Sequence, residues 1–460
     1  MKTQHESSSL LIGFVLLTIV LNTSCKKFIE IPLPADQPTT ATVFSDDQTA
    51  TSAVNGLYSS MMIQNFSIFN SGITLYPALS ADELYNTFPD ANVAPFTNNA
   101  LNSNSSILDA NFWKKCYNHI YQINAILNGL SNSTEISQAV KKQLSGEAKF
   151  AKALCYFYLI NLFGDVPYII STNYEENATV PRAPVSEIYQ SIIADLQEAI
   201  NLMSSDYPSP GKVRPNKWTA ASLLARVYLY QKRWSEADEA ATMVINSGIY
   251  SLSPLNSVFE GNSSEAIWQL LPVLTFLNTA DGFTFIPYST SVKPQYAITD
   301  WLLNAFESND QRKAEWLKSN TVNGQPYYYP FKYKVRSGNT VTEYNMMFRL
   351  TELYLIRSEA RAMNNNISGV QADLNIIRNR AGLPNTTAND VSSLVSAIEH
   401  ERRIEFFAEC GHRWFDLKRT DRINNVLGAV KAGWQSTDSL YPIPLSELLA
   451  NTNLTQNAGY

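Results

Sequence analysis

The sequence predicts a mostly α-helical protein, in which tetratricopeptide-like helical hairpins form a scaffold that carries large irregular loop inserts and a few short strands. Three observations lead to this prediction. Apolar residues recur with helical periodicity over much of the 460-residue chain, and several of these segments follow each other with almost no loop between them. Between them lie long stretches rich in Asn, Ser, Gly, Pro and aromatic residues.

The first helical segments show the periodicity most clearly. In WKKCYNHIYQINAIL, the side chains of Trp113, Tyr117 and Ile120 recur every three or four residues and so share one face. In GEAKFAKALCYFYLINLFGDVP the same pattern stops at Gly164, with Pro167 just beyond it. Glycine and proline at these places are typical of a helix end.

Helical hairpins follow. A helix opens at Pro184 and runs through IYQSIIADLQEAI, and KWTAASLLARVYLYQ is followed almost at once by RWSEADEAATMVINSG. A second pair is RLTELYLIRSEARAMNN with GVQADLNIIRNRAG. Small residues in such pairs let two helices approach closely, as in tetratricopeptide repeats. The sequence also predicts a last long helix, VSSLVSAIEHERRIEFFAEC, that ends near Gly411.

The irregular stretches are the predicted loop inserts. They span about 62–110, 250–345 and 411–460, with a shorter one at about 165–184. Loops of this length inside a compact protein are usually functional, so we expect ligand recognition there. Alternation in YYYPFKYK, Tyr327 to Lys334, predicts a short strand or hairpin within the second insert.

The amino terminus predicts where the protein is located. Lys2 precedes an apolar run from Leu10 to Leu21, which is too short to span a bilayer and fits a signal peptide. Cys25 follows small residues as in a bacterial lipobox, although Asn22 stands where an aliphatic residue is usual. We therefore expect a lipoprotein signal peptide at 1–24, lipidation of Cys25, and a single domain at 25–460.

Composition argues against several function classes. The net charge is −6 with 35 basic residues, so a nucleic-acid partner is not expected. The four histidines are scattered, and the sequence from His400 has Ile404 where a zinc-protease helix needs its second histidine, so no metal or other cofactor is predicted. The three cysteines Cys116, Cys155 and Cys410 lie in apolar helical stretches and are expected to be small buried side chains.

Ten motifs follow one another along the chain: the lipobox at Cys25, NGLYSSM, LSADELY, WKKCYNHIYQIN, GEAKFAKALCYFYLINLFGDVPY, ESNDQR, MFRLTELYLIRSEARA, NIIRNRAGL, ERRIEFFAECGHRWFDLKR and the closing YPIPLSELLANTNLTQNAGY. In this order they resemble the SusD/RagB family of surface nutrient-binding lipoproteins of Bacteroidota. The chain departs from the family pattern at Lys152, where arginine is usual, and at Thr452 and Ala458, which replace two customary prolines.

The resemblance implies a SusD-like fold and a non-enzymatic role. Such proteins are held on the cell surface by a lipid anchor in the outer membrane. They cover a SusC-like TonB-dependent transporter barrel and deliver an oligosaccharide or another nutrient to it. The family pattern also implies that the carboxyl-terminal tail is tied down on the body, with Pro442 and Pro444 stiffening it and Tyr460 buried or capping a groove.

Ligand contacts are predicted in the inserts, because sugar rings stack on aromatic side chains and their hydroxyls need polar partners. The candidate residues are Asp82, Tyr85, Phe88 and Phe96 in the first insert, and Tyr288, Tyr296 and Trp316 in the second.

The charged motifs of the last helices are predicted to be structural. We expect Arg413 and Asp416 to pair beside Trp414. The carboxylates of Glu401, Glu405 and Glu409, and those of Glu352 and Glu359, need basic partners because they repel one another. The basic residues expected to supply this network are Arg349, Arg357, Arg378, Arg402, Arg403 and Arg413.

Three other functions remain open from the sequence. The same architecture could bind peptides or another non-sugar nutrient. A surface glycoside hydrolase would need a pair of loop carboxylates, which the sequence does not place. A pure scaffold of repeats would bind a protein partner and have no small-molecule pocket.

Overall fold

A computed structural model describes residues 40–460, so the predicted signal peptide and Cys25 lie outside the described residues. Helices dominate this part of the chain. Numbered in order, they are α1 Thr40–Val43, α2 Asp47–Met62, α3 Gly72–Ser80, α4 Ala94–Thr97, α5 Lys114–Asn132, α6 Gln138–Phe163, α7 Tyr174–Asn177, α8 Val185–Leu202, α9 Lys217–Tyr230, α10 Trp234–Ile245, α11 Ala280–Phe285, α12 Asp300–Leu303, α13 Gln311–Trp316, α14 Leu350–Met363, α15 Ile367–Arg380, α16 Val391–Glu405, α17 His412–Arg419, α18 Ile423–Val430 and α19 Leu445–Ala450.

The longer helices form one stacked array. Each packs on the next in the order α2, α5, α6, α8, α9, α10, α14, α15 and α16. Helices α10 and α14 are neighbours in the array although about a hundred residues separate them in the sequence. The second insert therefore leaves the scaffold after α10 and returns to it at α14. The predicted mostly helical fold is confirmed.

The local sequence explains where the predicted helices begin and end. Helix α6 stops at Phe163 because Gly164 adopts φ +74°, a left-handed conformation that glycine reaches without strain. Helix α9 begins with a capping box, in which the Asn216 side chain accepts from the Thr219 backbone N–H and the Thr219 side chain bonds back to Asn216.

The last long helix is shorter than predicted. Helix α16 ends at Glu405, and α17 starts only at His412. The carbonyl oxygen of Glu405 accepts hydrogen bonds from Lys332 Nζ at 2.8 Å and Arg349 Nη2 at 3.0 Å. Because two side chains occupy this carbonyl, it is not available to continue the helix. Ala408 and Cys410 then take positive φ angles, which a right-handed α-helix does not contain.

Two of the predicted inserts contain more regular structure than expected. The first includes α3, whose residues are all buried, because GITLYPALS is almost wholly apolar. The third includes α17, α18 and α19. These two inserts therefore carry short helices that the prediction did not include. Long irregular stretches persist mainly in the second insert.

The strands form four two-stranded antiparallel sheets in the described part of the chain. β1 Leu84–Asn86 pairs with β5 Tyr296–Ile298, β2 Val166–Pro167 with β3 Arg182–Ala183, β4 Ala266–Leu270 with β8 Asn345–Arg349, and β6 Leu317–Val322 with β7 Gln325–Pro330. The short strand predicted in YYYPFKYK is confirmed for residues 327–330 and is wrong for 331–334. Residues 327–330 belong to β7, which forms a hairpin with β6. Its turn is Asn323-Gly324, with both φ angles positive, as a tight hairpin requires.

The carboxyl-terminal tail is tied to the body, as predicted. Tyr441 is fully buried and its hydroxyl bonds Ser80 Oγ at 2.9 Å. Asn457 accepts from Arg182 and donates to the Phe163 carbonyl, while the half-buried Tyr460 donates its hydroxyl to the Leu440 carbonyl. Chain ends usually fray, but hydrogen bonds from polar residues of this tail to helix α6 and its surroundings hold it on the body.

The hydrophobic core surrounds α6, and most residues of this helix are buried in the core. Cys116, Cys155 and Cys410 are free and buried, so the prediction that they act as small apolar side chains is confirmed.

Candidate functional site

An open cavity of about 560 Å³ lies where the first and second inserts meet. Small-molecule sites commonly have volumes of about 300–1,000 Å³. Phe88 comes from the first insert, and Phe283, Tyr288, Lys293 and Arg336 come from the second. The cavity thus combines aromatic surface with basic side chains.

The pairing of β1 with β5 brings these two inserts together. Tyr85 lies opposite Ala297 in this ladder, and the Thr87 backbone N–H donates to the Gln295 carbonyl just beyond it. The Gln295 amide donates to Asn86 Oδ1 at 3.0 Å. Phe88 is therefore held beside the segment 287–295 by backbone and side-chain hydrogen bonds.

The hairpin β6–β7 supports the loop that carries Tyr288. Asn320 is buried, and its side-chain nitrogen donates to the carbonyls of Ser289 at 2.8 Å and Val292 at 2.7 Å. Two bonds from one rigid strand fix the backbone on both sides of the loop. The Tyr288 side chain, which is 77% exposed, consequently projects from a fixed base.

Helix α11 forms another wall of the cavity. Thr279 caps it by accepting from the Gly282 N–H at 3.0 Å. The helix is docked on α3, since Ser71 and Thr284 share a hydrogen bond and Thr74 donates to Asp281 at 3.5 Å. Asp281 is buried, and burial raises the pKa of its carboxyl to about 6.

Arg336 is the most constrained cation of the cavity. Its Nε donates to the Ile286 carbonyl at 3.1 Å, and its guanidinium lies 4.3 Å from the ring centre of Phe283. Arg336 also lines the cavity. Lys293 also lines the cavity, with its ammonium 4.9 Å from the ring centre of Tyr327. Among the described residues that line the cavity there is no Asp or Glu, so this lining is positively charged.

Three of the residues predicted to bind ligand are accessible in this region. Phe88 and Tyr288 line the cavity, with 44% and 77% of their side chains exposed. Tyr85 is half-buried on the neighbouring strand β1, and burial raises the pKa of its hydroxyl. These residues remain candidates for ligand contact.

Four predicted site residues are buried, with at most 6% of any of them exposed. Phe96 packs at 4.6 Å from the Tyr76 ring centre, and Tyr296 lies edge-on to Phe285. Trp316 is fully buried and donates its indole N–H to the Leu255 carbonyl at 2.8 Å. The aromatic content that marked these positions reflects core packing.

Asp82 is the fourth buried candidate. It is 3% exposed, and its two oxygens accept from Arg403 Nη2 at 2.8 Å and from Arg413 Nε and Nη2 at 2.7 and 2.9 Å. Burial tends to raise the pKa of this carboxyl, but the two guanidinium groups outweigh burial and hold it below its usual value. The Asp82 carboxylate therefore joins the first insert to α16 and α17.

The ion pairs of the last helices differ in detail from those predicted. Arg413 pairs with Asp82, and Asp416 pairs instead with Arg402 and Arg419, so the expected Arg413–Asp416 pair is wrong. Helix α17 directs these two side chains to different neighbours. Trp414 is buried between them.

The carboxylates of α16 are neutralised by a buried network, as predicted, but partly by other residues. Arg349 and Arg378 do contribute, whereas Arg357 pairs with Asp373. Arg312 bridges Glu401 and Glu405 and also bonds Asp310, and Lys332 bonds Glu409. The partners of Glu352 and Glu359 are Arg226 and Arg419, and neither pairs with Arg349.

Sequence reasoning missed the basic residues and helix α11 of the cavity. Arg336 and Lys293 stand in loops without a local motif, and Phe283 looks like any apolar residue of an insert. Their proximity follows from the β1–β5 pairing between segments far apart in the sequence, for which the chain carries no local signal.

Two further observations concern the described residues 40–460. No group of three or more His, Cys, Asp or Glu side chains there is placed to hold a metal ion. Within the same residues, no helix combines the length and the apolar character needed to cross a membrane.

Comparison with known proteins gives one consistent result. Residues 31–229 match a family model described as "Starch-binding associating with outer membrane", and residues 302–460 match the model of the SusD family. Two SusD-like proteins of Formosa agariphila are each 26% identical to this chain. The alignments cover 95% and 98% of this chain, and 97% and 99% of the relatives.

Solved structures show the same fold. A SusD superfamily protein from Bacteroides vulgatus superposes with a TM-score of 0.80 at 19% identity, over 91% of this chain and all of that one. A laminarin-binding SusD-like protein has a TM-score of 0.75 at 22% identity, over 90% of this chain and 100% of that one. The surface glycan-binding protein A from Bacteroides fluxus has a TM-score of 0.75 at 23% identity, over 90% and 99% of the two chains. The helical array, the inserts that meet beside it and these matches together show that the chain belongs to the SusD family.

Proposed function

We propose that this protein is a cell-surface glycan-binding lipoprotein that captures an oligosaccharide and delivers it to a SusC-like TonB-dependent transporter in the outer membrane. The lipid on Cys25 anchors it there. The observation that carries the proposal is the cavity between the inserts, in which Phe88 and Tyr288 present aromatic surface beside Arg336. Aromatic faces stack on sugar rings, and a guanidinium bonds their hydroxyl or acidic groups.

The side chains of the cavity fit a glycan-binding protein better than a glycoside hydrolase. A glycosidase needs two carboxyl groups that flank the scissile bond, and the residues that line this cavity include no Asp or Glu. Family membership and the glycan-binding names of two structural neighbours agree with a binding role.

The charged side chains that line the cavity also favour one class of glycan. Lys293 and Arg336 are the charged side chains of the cavity, and no carboxylate opposes them. A glycan that carries carboxylate or sulfate groups would gain an electrostatic attraction that a neutral glycan lacks. We therefore propose acidic oligosaccharides as the preferred ligands.

Isothermal titration with a panel of oligosaccharides tests the proposal. The panel contains neutral glucose tetrasaccharides with β-1,3, α-1,4 or β-1,4 linkages, uronate oligosaccharides, sulfated oligosaccharides and mixed peptides. We expect at least one glycan to bind. We also expect Tyr288→Ala to weaken its binding about tenfold, because it removes the exposed ring face.

The chain offers a matched control for this variant. Tyr174 is also 77% exposed but lies at α7, away from the cavity, so Tyr174→Ala should leave the affinity unchanged. Equal losses in both variants would argue against the cavity as the site. Binding of peptides with no response to any glycan would select a peptide-uptake function instead.

A further inference from the structure

A second, larger cavity of about 780 Å³ is lined by Val335, the residue before Arg336 of the first cavity. It is formed by the 3₁₀ turn Pro210–Lys212, by residues 260–263 and by residues 334–335 and 341–344. None of the residues that line it lines the first cavity. Its volume also falls within the range of about 300–1,000 Å³ common for small-molecule sites.

Tyr344 is the aromatic side chain of this cavity, and two glycines make room for it. A Cβ atom at Gly211 would lie 3.0 Å from Cε2 of the ring, and one at Gly261 would lie 3.1 Å from Cδ1 and Cε1 on the opposite edge. Gly211 also has φ +76°, a conformation that favours glycine. The backbone therefore approaches both edges of the ring closely, and a larger residue at either position would crowd it.

The backbone beneath the ring is held from the core. Gln269 of β4 is fully buried, and its side-chain nitrogen donates to the carbonyls of both Gly211, at 3.2 Å, and Gly261, at 3.1 Å. The Gly261 N–H donates to the Thr342 carbonyl at 2.9 Å, which joins the second glycine to the segment that bears Tyr344. The buried Gln269 amide thus holds the backbone at both edges of the Tyr344 ring.

Charged side chains also hold the backbone that surrounds this cavity. Lys212 Nζ donates to the carbonyls of Ser263 at 3.1 Å and Ala266 at 2.8 Å. Glu343 accepts from the backbone N–H groups of Lys334 at 2.6 Å and Val335 at 3.1 Å. These side chains are occupied in holding the backbone. The exposed side chains of Glu260 and Asn262 at the rim are left to contact a ligand.

We infer that this cavity is a second saccharide-binding site, in which a sugar ring stacks on Tyr344 and its hydroxyls bond the carboxylate of Glu260 and the amide of Asn262. The inference rests on the proposed glycan-binding function. An aromatic face with hydrogen-bonding groups at its rim, on a floor that does not need to rearrange, fits a sugar better than an apolar ligand.

The position of this second site has a consequence for long ligands. Val335 lines the second cavity, and the next residue, Arg336, lines the first. Two weak sites this close raise the affinity for a polymer that engages both, because binding at the first increases the effective concentration at the second.

Titration of wild-type protein and matched variants with the best-binding oligosaccharide from the panel tests this site. For a tetrasaccharide we expect two binding events in wild type and one in Tyr344→Leu, which keeps apolar bulk for packing but removes the flat face. Tyr344→Phe keeps the ring and should retain both events. For a long polymer of the same sugar, Tyr344→Leu should weaken binding about tenfold.

The outcomes separate this inference from the proposed function. If no glycan binds wild type or any variant, the proposed function fails. If glycan binds, Tyr288→Ala weakens it, and Tyr344→Leu has the stoichiometry and polymer affinity of wild type, the second site alone is overturned. Thermal unfolding of each variant shows whether it is folded, and Tyr344→Phe distinguishes loss of the ring from loss of the hydroxyl.

Discussion

At the scale of single residues, buried carboxylates divide into two groups with opposite behaviour. Asp82 and Glu405 are surrounded by guanidinium groups that overcome the effect of burial and lower their pKa values. Glu83 and Asp281 are equally buried but lack such partners, and burial raises their pKa values to about 8 and about 6. One oxygen of each has no hydrogen-bond partner in the structure. Ionisation of the carboxyls in the second group destabilises the folded protein, so their effect on stability depends on pH.

Asp281→Asn tests this difference at the helix that walls the first cavity. The folded-state pKa of about 6 exceeds the value of 3.8 for the free side chain, so the folded protein holds the proton more tightly. The contribution of this bound proton to the stability of the folded protein is complete below about pH 4 and is lost as the pH rises through about 6. We expect the substitution to raise the free energy of unfolding by about 1–3 kcal/mol near neutral pH and to change it little at about pH 4.

Urea unfolding at the two pH values provides the measurement. Asp82→Asn is the contrasting variant, since its carboxylate is stabilised by Arg403 and Arg413, and it should lower stability at neutral pH. A loss of stability in Asp281→Asn near neutral pH would show that the ionised carboxylate has a partner that the structure does not reveal.

At the scale of elements, local sequence predicted helices well and the cavity only in part. The hairpin of α14 and α15 follows from periodicity within some thirty residues, and the strand part of YYYPFKYK from its alternation. These signals are local. Phe88 and Tyr288 were predicted from composition, but their meeting depends on contacts such as Gln295 with Asn86, which are 209 residues apart in the sequence.

The prediction errors at this scale also have a physical cause. Trp316 and Phe96 were predicted to bind ligand because aromatic residues in inserts resemble binding surface, yet both pack into the core beneath those inserts. The end of α16 was misplaced because its cause is tertiary. Lys332 and Arg349 reach the Glu405 carbonyl from elements that the helix sequence does not contain.

The hairpin β6–β7 should affect binding more than stability. Asn320→Ala removes both hydrogen bonds to the loop that carries Tyr288, at the carbonyls of Ser289 and Val292. The loop would then gain freedom that a ligand must remove on binding. We expect glycan affinity to fall about three- to tenfold, with the thermal midpoint lowered by only a few degrees.

Isothermal titration and thermal unfolding of the same preparation check this expectation. Asn323→Gly, in the exposed turn of the same hairpin, is the control because glycine tolerates the positive φ and adds no charge beside the cavity. Unchanged affinity in Asn320→Ala would mean that the Tyr288 loop is positioned by other contacts.

At the scale of the whole molecule, a buried ionic network joins the second insert to the scaffold. Arg349 stands at the junction of β8 and α14, where the insert returns, and bonds Glu265, Glu405 and Glu409. Lys332, within the insert, bonds Glu409 and the Glu405 carbonyl. Buried ion pairs of this kind add little net stability but penalise any other arrangement. The network therefore fixes where the insert lies on the helical array.

Under the proposed function, this arrangement separates structural support from ligand recognition. The array of helices supplies fixed positions, and the inserts that leave it supply the accessible aromatic and basic side chains. The carboxyl-terminal tail belongs to the support, since Tyr441 and Asn457 anchor it to the end of α6. Ligand specificity can then change through the inserts without altering the frame.

The most direct test is a crystal structure of the protein with the glycan that binds most tightly in the titration panel. The account predicts a sugar ring against Tyr288 and Phe88, with its polar groups near Arg336 and the helices of the array unmoved. A glycan bound on the helical array, with the cavity between the inserts empty, would contradict it.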